Sequence, residues 1–139
     1  MKSIIFTDLD GTLLNDNSVI SDYTHKTLKK FTDQGHILVL SSGRSLIFIL
    51  YEISLKSVIK VKNDLNLNFN NIYLCCANGT QIYDCKQNMV IKEERMNMND
   101  VENIWELNQT MNIHIQTYSD TELLAKSRDK EVDVYMIKC

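Results

Sequence analysis

The sequence predicts an α/β fold built on a parallel sheet, and three observations carry the prediction. Short apolar runs rich in β-branched residues recur at 3–8, 36–40 and 71–77. Helical stretches fit between them, giving the order β-α-β-α-β. Each run stops at a polar or glycine-containing turn, DLDGT, SSGR and NGT in turn. Continuous apolar strands alternating with helices imply parallel pairing and right-handed crossovers. Parallel strands place their carboxyl ends on one edge, where ligands bind in open α/β sheets. All three turns therefore share that edge.

The elements follow in order. "SIIFTD", 3–8, reads as a buried strand. In "SDYTHKTLKKFTDQG", 21–35, Ser21 caps a helix, Tyr23 or Thr24, Leu28 and Phe31 share a face, and Gly35 sits where a helix-ending glycine belongs. "HILVL", 36–40, is the second buried strand, and a helix is expected over about 45–62. The asparagine-rich 63–71 reads as a loop or helix end, and "NIYLCCA" as the third buried strand. Beyond residue 80 the rhythm changes. "TQIYDCKQNMVIKE" reads as two short strands about a turn at Lys86–Asn88. "MNDVENIWELNQTMN", 98–112, is helical, with Asn99 as N-cap and Val101, Ile104, Trp105, Leu107 and Met111 as apolar positions. "IHIQTYS" and "VDVYMIK" alternate as half-exposed strands, and 120–128 reads as a short helix. This is the start of an α+β second unit, so the expected division is 1–83 and 84–139.

Composition narrows the function. The 139 residues are 44% hydrophobic, enough for a packed domain. A net charge of −3 and no basic stripe argue against a nucleic-acid partner. No apolar stretch reaches the ~18 residues of a membrane span, and the start lacks the shape of a signal peptide. The four cysteines have no zinc-ligand spacing and read as small buried hydrophobes in a reducing cytoplasm. The three histidines lack ligand spacing and read as surface or packing residues. The methionines at 89, 96, 98 and 111 read as core filling.

Chemistry concentrates in DLDGT. Asp8 ends the first strand, and alternation sends Asp8 and Asp10 to one side, with Gly11 making the turn. Paired carboxylates at a strand end suit a hard cation such as Mg²⁺. An ionised carboxylate is also a nucleophile that forms an aspartyl-phosphate, and its neighbour serves as general acid and base. A plain Asx turn is the competing reading of an isolated DxDG.

"FTDLDGTLL" resembles the first motif of the haloacid dehalogenase superfamily of phosphatases. The stretch 19–44, ending in SSGR, and "CANGTQIYD", 76–84, resemble its Cof-type sugar-phosphatase branch, whose cap is of class IIB. Thr80 stands where that branch usually has alanine. The likeness is close over 3–44, less so over 71–119 and weakest beyond. It implies a Rossmann-like core, 1–83, followed by part of an α+β cap, 84–139. It implies a Mg²⁺-dependent phosphatase of small phosphorylated metabolites such as sugar phosphates. By resemblance Asp8 is the nucleophile, Asp10 the acid/base and a metal ligand through its carbonyl, and Ser42 a hydrogen-bond donor to the phosphoryl oxygens. Gly11 and Thr12 shape the Asp loop, and Gly43 follows Ser42. Arg44 is read either as an anion-attracting residue or as a structural ion-pair partner. Asn78, with Gly79 beside it, is read either as a substrate contact or as a brace of the Asp loop. Ser41 reads as a polar turn residue.

The family's third-motif lysine and its Gly-Asp-x-x-Asn-Asp cluster find no match over 84–139; Lys126, Lys130 and Lys138 lie in cap-like sequence. The sequence is thus expected to stop inside the cap. Two alternatives stay open: a catalytically incompetent fragment, and a related phosphomutase.

Overall fold

The computed structural model describes residues 1–43, 62–63, 66–111, 113–118 and 123–125. Strands β1 (Ile4–Asp8), β2 (Ile37–Ser41) and β3 (Ile72–Cys76) pair in parallel, followed by an antiparallel hairpin of β4 (Gln81–Asp84) and β5 (Met89–Glu93). The five strands lie in sequence order across one mixed sheet. Helix α1 (Asp22–Asp33) connects β1 to β2, and α2 (Met98–Thr110) follows β5. Strands β6 (Gln116–Tyr118) and β7 (Leu123–Ala125) pair antiparallel as a separate ribbon. The expected boundary at 83/84 falls at the β4–β5 hairpin, whose two strands both belong to the five-stranded sheet.

The local sequence explains these elements. The Ser21 side chain accepts a hydrogen bond from the Thr24 amide and so caps α1. Past the C-terminus, Gly35 takes a left-handed φ of 83° and its amide bonds the Thr32 carbonyl, closing the helix. Leu28 and Thr32, one turn apart, face the sheet and are buried. Of Tyr23 and Thr24, Thr24 takes that face and Tyr23 is largely exposed, because the 3.6-residue period puts Tyr23 one position off the Thr24–Leu28–Thr32 stripe. Leu28 joins Leu9, Leu14, Leu38, Leu40, Leu67, Ile72, Leu74 and Cys76 in the core. Burying each such side chain contributes about 1.5–3 kcal/mol.

Two strand expectations need correction. β2 and β3 are buried, but β1 is not: Ile4 and Phe6 keep 54% and 67% of their surface exposed. β1 is the sheet's first strand, so among the described residues it has a neighbour on one side alone. Residues 123–125, expected in a helix, form β7, because pairing with β6 satisfies their backbone groups in a ladder instead.

The cap of α2 also shifts. Asn97, not Asn99, caps it: its side-chain oxygen accepts from the Asp100 backbone amide at 2.9 Å, and its side-chain Nδ2 donates to the Asp100 carboxylate. Ile104, Leu107 and Met111 of its apolar set are exposed, as are Met89, Met96 and Met98. The methionines are therefore not core filling. Met89 lies on β5, Met96 between β5 and α2, Met98 on α2 and Met111 just past it, outside the buried leucine cluster.

Histidine packing is as expected at two positions. His36 stacks on Phe31 at 4.5 Å and accepts from the Ser3 amide, and His25 meets the edge of Phe69. Cys76 is buried, while Cys75 and Cys85 are half-buried free thiols. Burial, with the neighbouring thiols Cys75 and Cys85 adding to it, pushes Cys76 up to about 12. Burial likewise pushes Cys85 up to about 11, against a downward pull from Lys62. Among the described residues no helix is long and apolar enough to cross a membrane. All but the last residue of the helix expected over about 45–62, and the strand over 132–138, lie outside the described residues.

Candidate active site

The three parallel strands end together. Asp8 lies opposite Ser41, and Ser41 opposite Cys75, so the turns after β1, β2 and β3 leave the sheet at one edge. The turn after β1 is anchored by Leu9 and Leu14, both buried, with the Leu14 amide bonded to the Leu9 carbonyl at 2.9 Å. Asp10 between them keeps an extended backbone, and Gly11 takes φ 72°, the left-handed conformation that glycine adopts without strain. With Leu9 turned into the core, Asp8 and Asp10 flank it, exposed, as alternation expects. Gly11 and Thr12 are exposed on the same turn.

The second and third turns touch each other. The Ser42 amide donates to the Cys75 carbonyl at 2.9 Å, and the Asn78 amide to the Ser42 carbonyl at 3.4 Å. A Cβ on Gly43 would stand 2.9 Å from the Asn78 Oδ1, so glycine is what lets the Asn78 carboxamide lie there. Ala77, Asn78 and Gly79 all have positive φ, at 49°, 55° and 96°. Asparagine and glycine tolerate that region, but alanine is uncommon there. Such local strain clusters at ligand-handling segments. Thr80 closes the turn, its amide and hydroxyl both donating to the Ala77 carbonyl.

The structure thus joins Ser42, Gly43, Asn78 and Gly79 in one pair of turns and sets Asp8, Asp10, Gly11 and Thr12 on the turn beside them. Arg44 lies outside the described residues. Ser41 is not a turn residue: it ends β2 in register with Asp8 and shares its face. Nothing in its local sequence separates it from Ser42, because that placement follows from strand register. Ala77 likewise gives no sequence signal, since its left-handed backbone is imposed by the turn. Beside this edge, Gln81 is buried opposite Cys76 and donates to the Glu93 carboxylate at 2.6 Å, fastening β5 to β4 within the hairpin. Among the described residues no three acidic, histidine or cysteine side chains gather as a metal cluster.

The comparisons with known proteins agree with this geometry. Residues 5–138 match the family model described as haloacid dehalogenase-like hydrolase. A 5-amino-6-(5-phospho-D-ribitylamino)uracil phosphatase of Bacillus subtilis is 30% identical over 109 residues, which are 78% of this chain and 39% of that protein. A solved Thermotoga maritima structure superposes with a TM-score of 0.71 at 28% identity, over 96% of this chain and 45% of that one. The fold is also that of a subclass IIB sugar phosphatase, at TM-score 0.69 and 16% identity, over 96% of this chain and 47% of that one. The chain spans less than half the length of each of these relatives. With a family model covering nearly all of it and a parallel sheet that ends in DLDGT, SSG and NGT turns, the chain belongs to the haloacid dehalogenase-like hydrolase family.

Proposed function

We propose that this chain carries the nucleophile side of a phosphomonoesterase site for small phosphorylated metabolites, sugar phosphates among them. One observation carries the reading: Asp8 and Asp10 are held exposed on either side of a buried leucine, beside the joined Ser42 and Asn78 turns. An Asp8 carboxylate oxygen attacks phosphorus, and the bond from phosphorus to the leaving oxygen breaks. Asp10 donates its proton to that oxygen. The ionised Asp10 then takes a proton from water, whose oxygen attacks the aspartyl-phosphate. The Asp8–phosphorus bond breaks and inorganic phosphate leaves. The Ser42 hydroxyl donates to a phosphoryl oxygen, and Asn78 holds the substrate side of the turn.

The oxygen donors here suit Mg²⁺, which binds through one or two carboxylates and keeps waters. The Asp8 carboxylate and the Asp10 carbonyl would hold it, and it would neutralise charge developing on the phosphoryl oxygens. The division into a core over 1–83 and a cap over 84–139 belongs to the same proposal, with α2 and the β6–β7 ribbon on the cap side. So does a cytoplasmic setting, which suits the free thiols of β3.

A second reading is a chain that binds phosphorylated ligands without turning them over. It is favoured by the absence, among the described residues, of any group of three acidic, histidine or cysteine side chains that could hold a metal ion. Hydrolysis of p-nitrophenyl phosphate with and without Mg²⁺ separates the two. The first reading expects metal-dependent turnover that Asp8→Asn lowers by about 10³-fold or more. Turnover that survives Asp8→Asn overturns it, and phosphate binding with no turnover selects the second. Transfer to a sugar hydroxyl instead of water, seen in the products, would mark a phosphomutase.

A further inference from the structure

We propose that Asn78 is a site of spontaneous deamidation which the folded turn guards: the Gly79 nitrogen closes on the Asn78 carboxamide only when the third turn opens. Asn78 is the one asparagine of the sequence followed by glycine. Glycine carries no Cβ, so no side chain at residue 79 obstructs the approach of its nitrogen. Both residues are exposed in the chain, so water reaches them.

The chemistry needs water alone as co-reactant. The Gly79 backbone nitrogen attacks Asn78 Cγ and loses its proton to solvent. The bond from Cγ to Nδ2 breaks, and Nδ2 takes up a proton and leaves as ammonia. The resulting cyclic imide then adds water at either of its carbonyl carbons. Breaking the bond from Cγ to the Gly79 nitrogen gives aspartate. Breaking the bond from the main-chain carbonyl carbon to that nitrogen gives isoaspartate. Either product sets a carboxylate beside Ser42, at the edge where the proposed function puts phosphoryl oxygens. That consequence rests on the proposed function; the modification itself does not.

The native backbone forbids the attack. Ring closure needs the Gly79 nitrogen to eclipse the Asn78 Cβ about the Cα–C bond. Asn78 instead holds φ 55° and ψ 30°. In an L-residue that ψ turns the next nitrogen almost opposite Cβ, so the staggered side-chain rotamers keep Cγ out of its reach. Three contacts hold the turn this way. The Asn78 amide donates to the Ser42 carbonyl at 3.4 Å, and the Thr80 amide and hydroxyl both donate to the Ala77 carbonyl. The carboxamide lies against Gly43, its Oδ1 2.9 Å from where a Cβ would stand. Against them works the positive φ of 49° at Ala77, a strain that opening relieves. The reaction rate therefore follows the population of the opened turn.

Incubating the 139-residue chain at neutral pH with and without urea, then following the Asn78 peptide by mass spectrometry, tests it. Conversion should be at least about tenfold slower in the folded chain than in urea. In urea the left-handed φ of 96° at Gly79 no longer matters, and Gly79→Ala should slow conversion at least about tenfold there. Gly43→Ala pushes the carboxamide off its seat. It should speed conversion at least about fivefold in the folded chain, with far-ultraviolet circular dichroism unchanged, and leave the rate in urea as it was. Equal rates with and without urea overturn the proposal, as does a folded Gly43→Ala chain that converts no faster than its parent. Conversion in urea that is indifferent to Gly79→Ala, or that reaches other asparagines ahead of Asn78, overturns it too.

Discussion

Gly43→Ala probes the contact that joins the second and third turns. Gly43 has no unusual φ, so alanine fits its backbone, and restricting the unfolded chain would by itself add about 0.4–1 kcal/mol of stability. The new Cβ, however, would stand 2.9 Å from the Asn78 Oδ1, where ordinary contact begins near 3.4 Å. The carboxamide must yield by about half an ångström. It cannot yield freely, because the Asn78 backbone is left-handed and its amide is tied to the Ser42 carbonyl. Overpacking of this kind costs about 1–3 kcal/mol, so the net effect is a loss of about 0–2.6 kcal/mol. Asn78→Gly removes the obstructing atoms and suits the positive φ. In that background Gly43→Ala should be neutral or stabilising by up to about 1 kcal/mol. Urea unfolding of the four proteins in this double-mutant cycle should therefore give a coupling of about 1–3 kcal/mol. Equal effects of Gly43→Ala in both backgrounds would refute the contact. If phosphate binds between these turns, Gly43→Ala should also weaken inorganic phosphate binding more than it weakens the fold.

Other expectations follow from the core and the hairpin. Leu74→Ala, in the fully buried centre of β3, should cost about 2–5 kcal/mol in urea unfolding. A cost under about 1 kcal/mol would mean the cluster is not packed as described. The Asp84 carboxylate accepts from the Gln87 and Lys86 amides and from the Gln87 side chain, and the Gln87 amide leads in holding it below the ordinary carboxylate range. Its lowered value stabilises the fold above the usual aspartate pKa of about 3.9, and that stability is lost as pH falls through the folded value. Asp84→Asn should flatten that part of the pH–stability curve, and an unchanged curve would count against the turn. The raised Cys76 thiol should stay protonated at pH 8 and resist iodoacetamide until urea unfolds the chain. Its stabilising effect should fade as pH rises past the ordinary thiol value towards about 12.

Much of this was legible because local chemistry decided it. Ile-Ile-Phe, Ile-Leu-Val-Leu and Ile-Tyr-Leu-Cys-Cys can hardly be anything but strands, and Ser21 with Gly35 brackets a helix by hydrogen-bonding rules that act within four residues. The adjacency of DLDGT, SSG and NGT also followed, since parallel strands joined by helices must end on one edge. Where competing residues were near-equivalent, the sequence misled. Asn97 and Asn99 are both good caps, and the choice fell to the one whose partner, Asp100, stood three residues on. Residues 120–128 carry a helical pattern, yet 123–125 join a ribbon, because strand pairing is a contact with distant chain.

The sequence by itself determined the candidate groups and the edge they occupy: Asp8 and Asp10 around a leucine that is buried, with Gly11 supplying the turn. Only the tertiary structure decided which groups meet. Register set Ser41 opposite Asp8, backbone hydrogen bonds tied Asn78 to Ser42, and tertiary packing left Ile4 and Phe6 of an apolar strand exposed. The physical reason is range. Propensity, capping and alternation act over a few residues along the chain, whereas register, exposure and the approach of two turns depend on residues some 35 positions apart.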